Sequence, residues 1–391
     1  MAKPEMTKKG KFFDYSTLII VLVLIAFGLV MVYSTSSYSG AQKGDSAMYF
    51  KKQLVATFIG LIGMIAAIFF PYKKLYKMSK VIYVLSIISV LLVLTPLGRS
   101  YNGARRWINV GMSIQPAEFV KLALIIALAS FAAYSGKGMS KKNNNIVFVA
   151  LALLPVLLIF VITSNLSSAI ILFGIAYIML IVSNPKAKWV YIVSAVGIAF
   201  IVLFLVIFFK KTENATGMGF RFERLLAWRN PEKYASGKGY QTLQSLYAIG
   251  SGGFFGKGLG QSIQKLGFIP EAQNDMIFSV VCEELGLFGG ICLIVLFMLL
   301  IYRFLVIANN APDLFGSLLV VGAMAHIAIQ VVLNIAVVTN SIPNTGVTLP
   351  FISYGGTSVL FLMIEMGIVL NVSKEIRVPV TDTGKNRYGN E

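Results

Sequence analysis

The chain has 391 residues, 57% of them hydrophobic and only 13% charged, with 34 Lys or Arg against 16 Asp or Glu and a formal net charge of +18. That is more apolar surface than one soluble core hides, so the composition excludes a soluble globular domain and reads as an all-α integral membrane protein. Two cysteines and a single histidine argue against a disulfide framework and against a zinc site.

Apolar runs of roughly 17 to 25 residues are long enough to cross about 30 Å of hydrocarbon as helices. Ten are predicted, at approximately 15–32, 54–70, 81–97, 117–134, 146–162, 167–182, 189–209, 276–307, 314–338 and 358–372. The segment 1–14 precedes the first. Its basic start is that of a signal peptide, but the apolar core is too long and no small-residue cleavage pattern follows at 34–39, so this span is expected to stay.

Charge gives orientation. With the amino terminus cytoplasmic, about eighteen cations, among them Lys8, Lys9, Lys73, Lys74, Lys141, Lys142, Arg303 and Lys374, fall on the inner side, against about six in short outer loops. The expectation is ten transmembrane helices forming a membrane domain at 15–372, with both termini cytoplasmic. The tail at 373–391 ends in a stretch, 381–391, that reads as disordered. A large extracellular loop at 210–275 lies between helices seven and eight. Its nine Lys or Arg call for an anionic partner, and outside a membrane lipid phosphates and pyrophosphates suit better than nucleic acid.

The glycine-rich stretch at 250–260, GSGGFFGKGLG, fails the P-loop template, because Ser251 and Gly258 stand where Gly and Ser or Thr are needed. Two readings stay open: a flexible loop, or bare backbone that brings N–H groups and Lys257 close to a phosphate. Next comes PEAQNDMIF, in which Asp275 is the last acidic residue before a long apolar run. Asn274 or Asp275 suits the N-cap of the following helix. A carboxylate at a membrane boundary, in one loop with Arg221, Arg224, Arg229, Lys257 and Lys265, also suits chemistry on a lipid-linked substrate.

Ionisable residues inside spans are costly and count as site candidates. Glu118 and Lys121 lie three apart on one helix face and can pair. Glu283 and Glu284 lie roughly 12 Å along the eighth helix from Asp275 and point about 100° apart, so at most one shares its face. Glu365 suits inter-helix anchoring as well as function. His326, Gln330 and Asn334 draw a polar stripe that suits hydrogen bonding between helices. Cys282 and Cys292, too far apart to bridge, read as buried apolar residues.

Four blocks then carry a resemblance: NGARRWINVG with QPAEFVKLA at 102–123, SLYAIGSGGFFGKGLGQSIQKLGFIPEAQNDMIF at 245–278, EELG at 283–286 and SIPNTGVTLPFISYGGTS at 341–358. On these blocks the chain is identified as a member of the SEDS family of shape, elongation, division and sporulation proteins, with wording closer to the FtsW branch and its sporulation relatives than to RodA. The resemblance implies a peptidoglycan glycosyltransferase that polymerises lipid II on the outer face of the cytoplasmic membrane, at the division septum. The family's essential acid, in PExxxDxIF, maps onto Asp275, which would act as the single base on the acceptor hydroxyl in an inverting displacement of polyprenyl pyrophosphate. Charge on the leaving group would be met by Arg105, Arg106, Lys121 and Lys257, with Glu118 holding Lys121, or by a divalent cation, Mg or Mn, to which no site is assigned. Gln264, Lys265 and Glu271 would serve the acceptor side, and Ser353, Tyr354, Gly355 and Gly356 would shape the cavity opposite. The family's PDL motif is replaced by TSNLSSA, with Ser164 and Asn165 for proline and aspartate, which removes any charge from that site. A class B penicillin-binding protein and other divisome membrane proteins are the implied partners. The alternatives are a lipid II flippase, with Glu118, Lys121 and Glu365 as path residues, and a scaffold that only recruits an enzyme.

Overall fold

The computed structural model describes residues 9–101, 104–110, 112–184, 190–192, 195, 220–237 and 239–379. Among them, nine helices are long and apolar enough to cross a membrane. They are α1 (Tyr15–Ala41), α2 (Met48–Phe69), α3 (Tyr72–Leu91), α4 (Pro116–Ser135), α5 (Lys142–Ile162) and α6 (Leu166–Ser183), then, after two shorter helices, α7 (Phe220–Arg229) and α8 (Tyr240–Gly252), α9 (Ile277–Asn310), α10 (Leu314–Val338) and α11 (Gly356–Lys374). Each of the nine matches a predicted span. The seventh predicted span, the first part of the predicted large loop and the tail at 381–391 lie wholly or largely outside the described residues.

The bounds of α10, Leu314–Val338, are those of the hydropathy reading, but other helix ends differ from it. α1 runs on to Ala41, and α3 starts at Tyr72, so Lys73, Lys74, Lys77 and Lys80 are helical rather than loop. Lysine costs a helix little, so the helix outlasts the apolar stretch that reveals it.

α4, α10 and α11 form the centre, with 67%, 67% and 72% of their apolar stretches buried against 28% for α3 and α5, whose Leu, Ile and Val side chains face outward. α2 packs tightly on α11: a Cβ on Gly367 would stand 2.4 Å from the Met64 carbonyl oxygen. At one end of the bundle β1 (Lys9–Lys11) pairs antiparallel with β5 (Arg377–Pro379), which puts the two ends of the described chain side by side. Asp14 secures this end, capping α1 through Thr17 N at 2.9 Å and accepting from Arg303 Nη2 at 2.6 Å. Between α3 and α4 lies a three-stranded sheet, β2 (Gly98–Tyr101), β3 (Ala104–Val110) and β4 (Met112–Ile114), in which β3 is central.

α9 is broken at Gly286, whose φ is +72° and ψ −172°. The glycine-rich loop fills the break. Lys257 N and Gly258 N donate to the carbonyls of Glu283 and Glu284 at 2.9 Å, while Leu287 N and Phe288 N donate to Gly253 O and Phe254 O at 2.9 and 3.0 Å. A broken helix in an apolar setting leaves backbone groups that cost several kcal/mol each if unpaired, and this loop pairs them. The backbone of the glycine stretch is thus bound to a helix at Gly253, Phe254, Lys257 and Gly258. Glycine is required where the two chains meet: a Cβ on Gly286 would lie 2.3 Å from Phe254 O, and one on Gly256, at φ +81°, 2.2 Å from Glu284 O. Gly286→Ala is expected to cost at least about 2 kcal/mol, read as a lower thermal midpoint in detergent. Gly250→Ala on α8, where a Cβ meets nothing within 4 Å, is expected to leave the midpoint unchanged or raise it.

Candidate active site

Asp275 lies in the turn that leads into α9. The helix starts at Ile277 with Met276 at the N-cap position and no capping side chain. Asn274 donates instead to Glu271 Oε2 at 2.7 Å, and the Asp275 side chain turns to Gln241 on α8, whose Nε2 lies 3.4 Å from Oδ1. The capping role expected of Asn274 or Asp275 is thus not filled by either side chain. The Asp275 backbone is fixed separately, its carbonyl accepting from Asn334 Nδ2 on α10 at 2.7 Å. Burial pushes the half-buried Asp275 carboxyl up to about 6. Its own backbone N–H opposes this, the charge of Glu271 adds to it, and Arg224 and Gln241 pull it back.

The loop at 339–355, between α10 and α11, is the hub around this group. Arg224 Nη1 on α7 donates to Asn344 O at 3.2 Å, and Trp228 Nε1 to Asn340 O at 3.0 Å, which seats α7 on the loop. Ser167 donates to Thr345 O from the start of α6, and Asn334 Nδ2 also donates to Val347 O at 2.7 Å. The SYGG stretch ties the hub to its neighbours. Tyr354 N donates to Gln273 O at 2.8 Å, Gly355 N to Gln53 Oε1 at 3.1 Å, the buried Ser353 hydroxyl accepts from Leu349 N, and Gly356 begins α11.

The cations expected to meet an anion separate into two groups. Arg106, half-buried on β3, donates to Thr163 O at 3.3 Å and Ser164 O at 3.1 Å, and stands close enough to Arg224 for their charges to interact, while Arg224 also acts on Asp275. Arg105, its neighbour on the strand, is exposed, as side-chain alternation requires. The lysines have internal partners. Lys257 donates to Glu283 at 2.7 Å and Lys265 to Glu284 at 2.8 Å. Ser262 and the backbone N–H groups of Ile263 and Gln264 complete the shell of Glu283. Both glutamates are fully buried and face the loop rather than Asp275. Cys282 is buried, but Cys292, beyond the break, is exposed on the outer surface of the bundle.

Lys121 and Glu118 pair at 2.9 Å inside the bundle, where Lys121 is 1% exposed. Lys121 also lies 3.3 Å from Gln330 Oε1, which accepts in turn from His326 Nε2 at 2.9 Å. Gln330 Nε2 donates to Thr348 O at 3.0 Å, so its oxygen must face His326 and Nε2 of the histidine carries hydrogen. One further proton lies between His326 Nδ1 and Glu365 Oε2, 2.8 Å apart. The polar stripe of α10 therefore joins helices at His326 and Gln330, while Asn334 reaches the Asp275 backbone.

Asn165 caps α6, its Oδ1 accepting from Ser168 N at 3.1 Å, beside the carbonyls that hold Arg106. An amide does this as well as a carboxylate. Asn165→Ala is expected to cost about 1 kcal/mol, and Asn165→Asp a few tenths at most, by thermal unfolding.

Gln241 and Asn344 were not singled out by the sequence. Asn344 Nδ2 donates to Gln241 Oε1 at 3.1 Å across 103 residues, and neutral amides in loops give no compositional signal. Arg224 was visible only as one of several loop cations.

The profile of the "Cell cycle protein" family of FtsW, RodA and SpoVE matches residues 15–378. Stage V sporulation protein E of Bacillus subtilis (strain 168) is 39% identical over 383 residues, covering 95% of this chain and 100% of the relative. The probable peptidoglycan glycosyltransferase FtsW of the same organism is 39% identical over 381 residues, covering 95% and 93%. Among solved structures, a chain from work on the structural coordination of polymerization and crosslinking by a peptidoglycan synthase complex superposes with a TM-score of 0.75 at 26% identity, covering 93% of this chain and 98% of that one. The rod shape determining protein RodA of Thermus thermophilus gives 0.67 at 25% identity, covering 93% and 97%. Sequence and fold agree along nearly the whole length, and the chain belongs to the FtsW, RodA and SpoVE family of cell cycle proteins.

Proposed function

We propose that this protein is a peptidoglycan glycosyltransferase that polymerises lipid II at the outer face of the cytoplasmic membrane, with Asp275 as its base. The observation that carries the reading is a carboxylate poised at about 6, held at one end of a membrane bundle beside Arg224, with Arg106 next to it. A base with that affinity is ionised at neutral pH yet still able to take a proton. Asp275 removes the proton from the 4-hydroxyl of the acceptor sugar as its oxygen attacks the anomeric carbon of the donor. The bond to the polyprenyl pyrophosphate breaks on the opposite side, so the configuration inverts. The leaving group departs as a dianion or trianion, and the guanidiniums of Arg106 and Arg224 meet that charge.

Asp275 and Glu271 are oxygen donors of the kind that bind Mg or Mn together with substrate phosphates, and such an ion would add positive charge beside the pyrophosphate. Among the described residues no group of three or more His, Cys, Asp or Glu forms a metal cage. The partner in this reading is a class B penicillin-binding protein, supported by the likeness to a chain of a peptidoglycan synthase complex.

Purified protein, supplied with fluorescent lipid II and a class B penicillin-binding protein, is expected to produce glycan polymer resolvable on a gel. Movement of lipid II across liposome bilayers without polymer would assign transport instead. Absence of both activities in a folded, partner-bound protein would leave a scaffold.

A further inference from the structure

Gln241 sits at the start of α8, 34 residues before Asp275 in sequence, and its amide is engaged at both ends. Its Oε1 accepts from Asn344 Nδ2 at 3.1 Å, and Asn344 Oδ1 accepts from Gly346 N at 3.1 Å. The backbone N–H of Gly346 can only donate, so it fixes the orientation of the Asn344 amide, and Asn344 in turn fixes that of Gln241. Gln241 therefore presents only N–H to its other neighbours, Asp275 Oδ1 at 3.4 Å and Pro270 O at 3.5 Å. Arg224 clamps Asn344 through its carbonyl, which ties the relay to α7. The second carboxylate oxygen, Oδ2, lies over Gly346, where an added Cβ would stand 3.6 Å away. One oxygen of Asp275 is thus tethered on one side, and the other is aimed across the bare backbone of the hub loop.

We infer that Gln241, oriented by Asn344, is a positioning residue that holds one oxygen of Asp275 so that the other is directed at the acceptor hydroxyl. The inference rests on the polymerase reading above. The distance of 3.4 Å is long, as such contacts often are before substrate arrives. A donor to a carboxylate favours its ionised form, so loss of the donor leaves burial and the charge of Glu271 less opposed. The backbone N–H of Asp275 and the charge of Arg224, which has Arg106 near it, then remain to favour the ionised form, and Asn334 on α10 contacts only the main chain of Asp275.

The test is the pH dependence of polymerisation by the purified protein with its transpeptidase partner. Gln241→Leu is expected to lower kcat roughly tenfold, the effect of one hydrogen bond to a charged group, with KM for lipid II within about twofold. Its acidic limb should move up. Asn344→Ala, which frees the Gln241 amide to turn, should move the limb in the same direction by less. A rate lowered equally at every pH, with the limb unmoved in both variants, would overturn the inference and leave Gln241 a structural residue. Asp275→Asn is the reference: if it is inactive and the limbs are unmoved, only the role of Gln241 falls. If it still polymerises, the base assignment fails and this inference with it.

Discussion

Asp275→Asn is expected to abolish polymerisation, by about 10²- to 10⁴-fold, while making the protein more stable at neutral pH. The amide is of the same size and can still meet Gln241, so the site should keep its shape and lose only its base. The sign of the stability change follows from the carboxyl being raised from 3.8 to about 6 by burial and by Glu271. A raised value means that the folded state holds the proton more tightly than the unfolded chain does. That preference stabilises the fold fully below the ordinary carboxylate value and is lost as pH rises through about 6. At pH 7 the ionised, half-buried carboxylate is a net burden. Its removal should be worth on the order of 1 kcal/mol, discounted because water still reaches the group. The wild type should lose activity as pH falls through about 6, and the variant should show a higher thermal midpoint in detergent. Polymer formation by the variant, or a lower midpoint, would argue that Asp275 is a structural residue. Inactivity with gained stability is the mark of a group kept for chemistry against the preference of the fold.

What could be read from the sequence divides along a physical line. The spans were legible because a lipid-crossing helix must be apolar for its whole buried length, and nine of them reappear among the described residues. Some of their ends were not legible, because helix propensity carries residues such as Lys73 and Lys74 past the hydrocarbon. Asp275 stood out because a carboxylate at the start of an apolar run is costly and rare. Gln241 and Asn344, which shape its surroundings, are neutral and join it across the fold, so no local pattern announces them. The lysines of the loop looked free because Glu283 and Glu284 were placed on an unbroken helix. With the break at Gly286 unseen, nothing suggested that the glycine stretch folds back on α9 and carries Lys257 and Lys265 to those carboxylates. Asn165 shows the same limit from the other side. A lost charge was visible, but the cap it preserves is a matter of backbone geometry.

The second large effect is expected at the pair Lys265 and Glu284. Lys265 is 5% exposed and Glu284 fully buried, and they meet at 2.8 Å. The ammonium spends all three of its N–H groups internally, on Glu284, on Ser34 Oγ of α1 at 2.9 Å and on Gly260 O at 2.7 Å. Ser34 passes its own hydrogen to Glu284 at 2.7 Å, so the pair binds α1, α9 and the large loop into one unit. Burying two charges is costly in itself, and the pair adds little net stability over a neutral couple of the same shape. Removing one partner is different, because it strands the other charge in a buried place. Lys265→Met alone is expected to lose about 3–5 kcal/mol, and Glu284→Gln alone a similar amount. The double variant Lys265→Met with Glu284→Gln should recover most of the loss, a coupling of at least about 2 kcal/mol in a cycle read by thermal unfolding. If the two losses simply add, the pair is not the clamp described here. The folded double variant also separates structure from chemistry at Lys265. With no donor left over for a substrate, its charge should be dispensable once Glu284 is neutral, and the double variant should still polymerise lipid II. A stable but inactive double variant would instead mean that the ammonium breaks one of its three internal bonds to meet the acceptor during turnover.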